Sequence, residues 1–140
     1  FKPLAYALIL LRRDGIPCVF YGDYYGVPHD HIGPVGAQLE TLLRLRRDAA
    51  YGEQIDYFDD YNIVGWTRLG EEDRPGSGCA VILTDGPGGS KNMCMGARFA
   101  VCTFRDALGN QKQTIVLDES GSADFCVGGG SVSVWVPDVQ

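Results

Sequence analysis

The stretch DYFDDYNIVGWTR (residues 56–68) marks a change in the character of the chain, because apolar residues recur from here with a period of two. Such alternation predicts half-buried strands rather than helices. Glycine-rich turns at residues 86–89 and 128–130 separate the candidate strands. Those candidate strands are residues 63–68, 80–84, 92–95, 114–117, 124–127 and 131–136. Short antiparallel strands at this spacing predict a compact sandwich or Greek-key domain.

Upstream of this stretch the pattern is that of alternating helix and strand. Residues 4–13 (LAYALILLRR) are good helix formers, and residues 37–47 (AQLETLLRLRR) are amphipathic with period 3.6. Between them, residues 16–21 (IPCVFY) form a short apolar run typical of a strand buried on both faces, as in a parallel sheet. Helix, strand and helix are consecutive pieces of an α/β layer, but one strand cannot complete such a layer.

The change of period divides the chain into two parts. We expect residues 1–52 to be an incomplete α/β unit and residues 53–140 to be a β-domain. The linker around residues 51–54 is short, so the two parts should pack together.

The overall charge and composition exclude several classes of partner. A net charge of −6 argues against nucleic acid, which requires clustered Lys and Arg, and is compatible with a neutral ligand such as a sugar. No apolar run approaches the ~20 residues that span a bilayer, so we expect no membrane partner. The five cysteines show no CxxC spacing, and their odd number favours a reducing, intracellular compartment without excluding secretion.

A loop at residues 22–34 carries the most polar group of candidate residues. His29 and His31 could supply two metal ligands, and a histidine beside Asp30 could act as a base; the alternative is a solvated loop. Asp23 follows the apolar run, where barrel enzymes keep catalytic groups, but a glycosidase needs two carboxylates and this is one.

Acidic residues before and after two of the candidate strands form a second group. Asp56, Asp59, Asp60 and Asn62 offer the hard oxygen ligands that calcium takes, and Asp85 precedes a glycine turn. A charged turn before a strand is the alternative. The stretch at residues 56–62 lacks the glycine and the closing glutamate of an EF-hand loop.

Several segments resemble the C-terminal end of the α-amylase family of glycoside hydrolases, in its liquefying bacterial type and fungal intracellular relatives. They are FKPLAYA (1–7), GIPCVFYGDYYG (15–26), DYFDD (56–60), NIVGWTR (62–68), LTDGPGG (83–89) and VGGGSVSVWV (127–136). The resemblance covers essentially the whole chain in the expected order. It implies an α/β fragment, the last βα unit of a TIM barrel, followed by an all-β antiparallel C-terminal domain.

The resemblance also implies a place for each element. Residues 4–13 would be the seventh barrel helix, residues 16–21 the eighth strand and residues 37–47 the eighth helix. The loop after the eighth strand would then border the substrate cleft. Its candidate cleft residues are Asp23, Tyr25, His29 and His31.

The function implied by the resemblance belongs to a longer parent enzyme. That parent would hydrolyse internal α-1,4-glucosidic bonds of starch or glycogen with retention, using carboxylates on earlier barrel strands. This chain alone should be inactive, with the N-terminal barrel and, through the parent, an α-glucan as its partners.

The resemblance implies calcium as a cofactor between barrel and C-terminal domain. Asp85 is the candidate ligand carried over, whereas Asn62 stands where the relatives have an aspartate, which should weaken the site.

The alternative function is a non-catalytic carbohydrate-binding or structural β-domain. A carbohydrate-binding module would present Trp66 or Trp135 to solvent as a sugar platform.

Overall fold

The computed structural model describes residues 1–30 and 33–138. Its helices are α1 (Lys2–Leu11), α2 (Tyr21–Tyr25) and α3 (Ala37–Asp48), with 3₁₀ turns at Pro28–Asp30 and Ala97–Phe99. Its strands are β1 (Gln54–Tyr57), β2 (Ile63–Arg68), β3 (Cys79–Thr84), β4 (Gly89–Cys94), β5 (Thr103–Asp106), β6 (Thr114–Val116), β7 (Ser122–Val127) and β8 (Val132–Pro137). None of the helices in these ranges is long and apolar enough to cross a membrane.

The strands form an unequal antiparallel sandwich. Six of them make one sheet in the order β1-β2-β3-β8-β5-β6, and β4 pairs with β7 as a separate ribbon. The β8 strand lies between β3 and β5, so the chain returns to the middle of the sheet after building its edges. Each of the six candidate strands is present, with ends shifted by at most a few residues.

Alternation along β3 explains why the large sheet is buried on both faces. Val81 and Leu83 belong to the apolar cluster that contains the helices, whereas Ala80 and Ile82 belong to the cluster beneath the β4–β7 ribbon. Successive side chains of a strand point to opposite faces, so a wholly apolar strand serves two cores. The sheet is therefore the middle layer between α1 and α3 on one side and the ribbon on the other.

The two long helices pack on the sheet through leucines at helical spacing. In α3 the stripe Leu39, Leu42 and Leu45 is buried, and α1 contributes Leu10 and Leu11 to the same cluster. Each fully buried leucine stabilises the fold by roughly 1.5–3 kcal/mol relative to an exposed one. The helices and the β-domain thus share one core.

The end of α1 is held by groups of its neighbours. The Leu11 carbonyl accepts hydrogen bonds from Trp66 Nε1 (3.4 Å) and from Arg68 (3.2 Å), and the Leu10 carbonyl accepts one from Arg46 (2.7 Å). Helix C-termini leave carbonyls without intrahelical partners, so these contacts satisfy them. They explain why the helix ends at Leu11, two residues before the predicted end at residue 13.

The predicted strand at residues 16–21 is wrong for this structure. Residues 16–20 have no regular structure and α2 begins at Tyr21. Ile16 is 99% exposed and Phe20 61% exposed, rather than buried on both faces. A parallel strand needs neighbouring strands to pair its N–H and C=O groups, and the described residues form only antiparallel ladders. The last βα unit of a barrel is accordingly not formed.

Candidate cleft-border and cation sites

Asp23 lies on the short helix α2 and is directed towards helix α1. Its carboxylate accepts hydrogen bonds from Lys2 Nζ at 2.7 Å and from the Tyr6 hydroxyl, and its backbone carbonyl accepts one from the Val35 N–H at 2.7 Å. The Tyr6 oxygen in turn accepts the Phe20 N–H at 3.2 Å. Asp23 therefore fastens the loop after residue 21 to the first turns of α1.

The electrostatics of Asp23 suit this anchoring contact. The hydrogen bond from Lys2, followed by that from Tyr6, lowers the pKa of Asp23 below its usual value. The hydrogen bond to Asp23 and burial raise the pKa of Tyr6. The carboxylate is thus ionised at neutral pH and both of its oxygens are already engaged, which is unsuited to a general acid.

Two of the other candidate cleft residues, Tyr25 and His29, lie in the same segment of the chain. Tyr25 is exposed on α2, with its ring centroid 4.6 Å from that of Tyr24 and 4.7 Å from that of Tyr21. His29 is exposed in the 3₁₀ turn Pro28–Asp30, and His31 lies outside the described residues. The three tyrosines form an aromatic cluster that includes the predicted cleft residue Tyr25.

Asn62 and Asp85 are brought together, but without a full set of calcium ligands. They flank the paired residues Ile63 and Thr84, so they stand opposite one another just beyond the β2–β3 ladder. The Asn62 N–H donates to Asp60 Oδ1 at 2.8 Å.

The remaining acids of this stretch have cationic partners. Asp59 pairs with Lys91, which lowers the pKa of Asp59, and Asp56 pairs with both terminal nitrogens of Arg12 at 2.9 and 3.1 Å. Across residues 1–30 and 33–138, no three His, Cys, Asp or Glu side chains converge as metal ligands. Calcium takes 6–8 oxygens, so the side chains of this stretch do not by themselves complete its coordination.

Both tryptophans are structural. Trp66 and Trp135 are 0% exposed, and their indole N–H groups donate to the carbonyls of Leu11 and Cys126. A module that used either indole as a sugar platform would need it at the surface, so burial counts against that alternative.

The five cysteines are all free thiols. Cys79 is fully buried, and burial raises its pKa to about 12, whereas Cys18 is exposed. Buried thiols of this kind act as small apolar side chains.

The fold is a layered antiparallel β-domain: α1 and α3 pack on one face of the six-stranded sheet, and the β4–β7 ribbon packs on the other. Residues 80–136 match the family model described as the α-amylase C-terminal domain. With an α-amylase from Malbranchea cinnamomea the TM-score is 0.68 at 14% identity, over 96% of this chain and 32% of that one, so this likeness concerns the fold alone.

Two curated relatives extend the match to the whole chain. The α-amylase of Geobacillus stearothermophilus is 54% identical over 137 residues, covering 98% of this chain and 25% of that protein. The cytoplasmic α-amylase of Escherichia coli is 42% identical over 146 residues, covering 97% and 29%. Over nearly its whole length, the chain is therefore similar to the C-terminal part of bacterial α-amylases. It spans about a quarter of the length of the curated relatives that it matches.

Proposed function

We propose that this chain is the C-terminal part of an enzyme that hydrolyses internal α-1,4-glucosidic bonds of starch or glycogen with retention. The observation that carries this proposal is the 54% identity to an α-amylase over 98% of the chain. A retaining glycosidase needs a nucleophilic carboxylate and an acid/base carboxylate about 5–5.5 Å apart. Asp23 is occupied by Lys2 and Tyr6, so both catalytic groups would come from the preceding barrel.

The work of this chain in that enzyme would be to complete and cover the barrel. Ile9, Ile16, Phe20 and Tyr21 expose apolar surface along α1 and the following segment. Contiguous exposed apolar surface is typical of a face that another part of a protein covers. Residues 16–21 would then pair as the last parallel strand, once the neighbouring strands supply hydrogen-bond partners.

The loop after this strand would border the substrate cleft. Asp23 holds the loop to α1, which leaves Tyr25 and His29 exposed on its outer side. Aromatic rings stack on the apolar faces of sugars, so the tyrosines of α2 are suited to a glucan chain. His31 completes the proposed border from the sequence.

A chimera tests the proposal directly. The 137 matched residues of the Geobacillus stearothermophilus α-amylase are replaced by this chain, and endo-hydrolysis of soluble starch is measured with the anomeric configuration of the products. We expect an active, retaining chimera and no activity from the 140-residue chain alone. A folded but inactive chimera would contradict the proposal, as would hydrolysis by the chain alone.

A pair of variants tests the docking face within the chimera. Ile16→Lys should abolish soluble active chimera, because the strand would bury a charge between barrel layers. Val116→Lys on the edge strand β6 is the control, since Val116 is 64% exposed and lies in the β-domain. Equal activity of the two chimeras would exclude residue 16 from the barrel interface.

For calcium, we propose that the pair Asn62 and Asp85 binds the ion weakly or not at all. Asn62→Asp restores a carboxylate opposite Asp85 and should strengthen calcium binding in the chimera, measured by calorimetry. Asn92→Asp on β4 is the control for added charge. An unchanged affinity in Asn62→Asp would mean that this position contributes no ligand.

A further inference from the structure

A pocket lined by arginines lies where α1, α3 and β2 meet. Its volume is about 500 Å³. Its basic lining is Arg12, Arg13, Arg46, Arg47 and Arg68, which are five of the nine arginines in a chain of net charge −6. Tyr51 and the apolar Leu43 and Ala50 complete the wall. Positive charge is therefore concentrated at one point of an acidic molecule.

Contacts within the protein account for only part of this charge. Arg12 pairs with Asp56, Arg47 with Asp48, and Arg13 lies 3.6 Å from Asp14. The other two arginines have no carboxylate partner in the described part of the chain. Their hydrogen bonds go to backbone carbonyls, from Arg46 to Leu10 and from Arg68 to Leu11 and Gly52.

The geometry makes this uncompensated charge costly. Arg68 is only 6% exposed, and burial lowers the pKa of its guanidinium, with the positive charges of Arg13 and Arg46 lowering it further. Positive charges at helix C-termini are favoured by the helix dipole, but this does not apply to Arg68, which lies on the strand β2. An anion in the pocket would offset the mutual repulsion.

We propose that this pocket binds a dianionic phosphoryl group, either as free phosphate or as a phosphate monoester. Planar guanidinium groups match phosphate oxygens in paired hydrogen bonds, so converging arginines favour this anion over chloride. The volume lies within the ~300–1,000 Å³ of small-ligand sites, which leaves room for a sugar attached to the phosphate. The proposal does not depend on the activity of the parent enzyme.

Calorimetric titration of the 140-residue chain tests the site with inorganic phosphate, glucose 6-phosphate and maltose at constant ionic strength. We expect saturable one-to-one binding of at least one phosphate compound and none of maltose. Binding of phosphate alone identifies free phosphate as the ligand, and stronger binding of glucose 6-phosphate identifies a monoester. No saturable phosphate binding, or equal heats on titration with chloride, would overturn the proposal.

Paired variants locate the binding. Arg13→Gln with Arg47→Gln removes two exposed pocket arginines and should weaken binding about tenfold or more, because hydrogen bonds to charged groups are strong. Arg98→Gln with Arg105→Gln removes the same charge from the β-domain and should leave the affinity unchanged. Equal weakening of phosphate binding by the two pairs of substitutions would show that the loss comes from net charge alone, and would refute a specific site.

A second measurement on the unmodified chain covers the case of a poorly folded variant. Phenylglyoxal modifies accessible arginines, and mass spectrometry identifies each modified position. Phosphate should protect Arg13 and Arg47 but not Arg98 and Arg105. Uniform protection, or none, would contradict the proposal.

Discussion

The β-domain and the helical segment before it differ in how completely they bury their own apolar side chains. In the β-domain, Phe104, Phe125 and Trp135 are fully buried beneath the β4–β7 ribbon. In the helical segment, Ile16 and Phe20 face solvent although they are equally apolar. The difference teaches that the antiparallel sheet has all of its partner strands within this chain, whereas a parallel strand at residues 16–21 would need neighbouring strands that the described residues do not supply.

The two regions are nevertheless one folded unit. Trp66 of β2 packs in the helix-side cluster and donates to the last carbonyl of α1. The Arg12 guanidinium lies 5.0 Å from the Phe58 ring centroid and 5.3 Å from that of Trp66, besides pairing with Asp56. The C-terminus of α1 therefore folds as part of the β-domain.

Removing the contacts of Trp66 with α1 should have the largest effect on the stability of the chain. Trp66→Ala is expected to lower the free energy of unfolding by about 3–5 kcal/mol, because it leaves a cavity between helices and sheet. Urea denaturation followed by circular dichroism measures it. Tyr61→Ala, an exposed aromatic of the same stretch, should change stability by less than about 0.5 kcal/mol. A loss below about 1 kcal/mol for Trp66→Ala would mean that the two regions fold independently.

A substitution in the turn between the two regions, at Gly52, should have the second largest effect on stability. Gly52 has φ +89°, and a Cβ there would lie 2.3 Å from the Gly70 carbonyl oxygen. Gly52→Ala should cost the upper end of about 1–3 kcal/mol. Gly76→Ala is the matched control, because its φ is +84° with nothing within 4 Å of the new Cβ. Equal losses in the two variants would show that backbone strain acts there without the steric clash.

The helical segment should contribute an acid-sensitive contact. Because the folded pKa of Asp23 is lowered, its stabilisation is present above the unfolded pKa of about 3.9 and is lost as pH falls through the folded pKa. Asp23→Asn should therefore flatten the decline of the urea midpoint on acidification below about pH 4. Parallel declines in both proteins would exclude Asp23 as a source of this pH dependence.

A substitution in the exposed apolar segment at residues 16–20 should have the smallest effect on stability. Ile16→Lys in the chain by itself is expected to change the free energy of unfolding by less than about 0.5 kcal/mol, because the side chain contacts little protein. A substantial loss would show that this segment packs in the isolated chain. Together with the Ile16→Lys chimera, this measurement separates a docking face from a core position.

Strands were predictable where side-chain alternation was strong, and two strands escaped prediction. β1 (Gln54–Tyr57) is a half-exposed edge strand, and β5 (Thr103–Asp106) has only four residues, two of them charged. In β5, Asp106 is buried and accepts the N–H groups of Leu108, Gln111 and Val134. An acid that replaces backbone partners in this way leaves no periodic apolar signal.

The candidate sites were less predictable than the fold. The sequence placed Asp23 after an apolar run, but contact with Lys2 and Tyr6 depends on how the loop returns to α1. The arginine pocket likewise assembles residues of three elements that are far apart in sequence. Convergence of this kind has no local sequence signature.

By itself, the sequence determined the helices α1 and α3, most of the β-strands and the resemblance to α-amylases, because local periodicity and motif identity need no distant partner. Only the tertiary structure decided that residues 16–20 are not a strand, that both tryptophans are buried and that Asp23 is an anchor. The physical reason is the same in each case. Hydrogen-bond pairing, burial and ionisation depend on which groups lie opposite a residue, and in a folded chain most of those groups come from distant sequence.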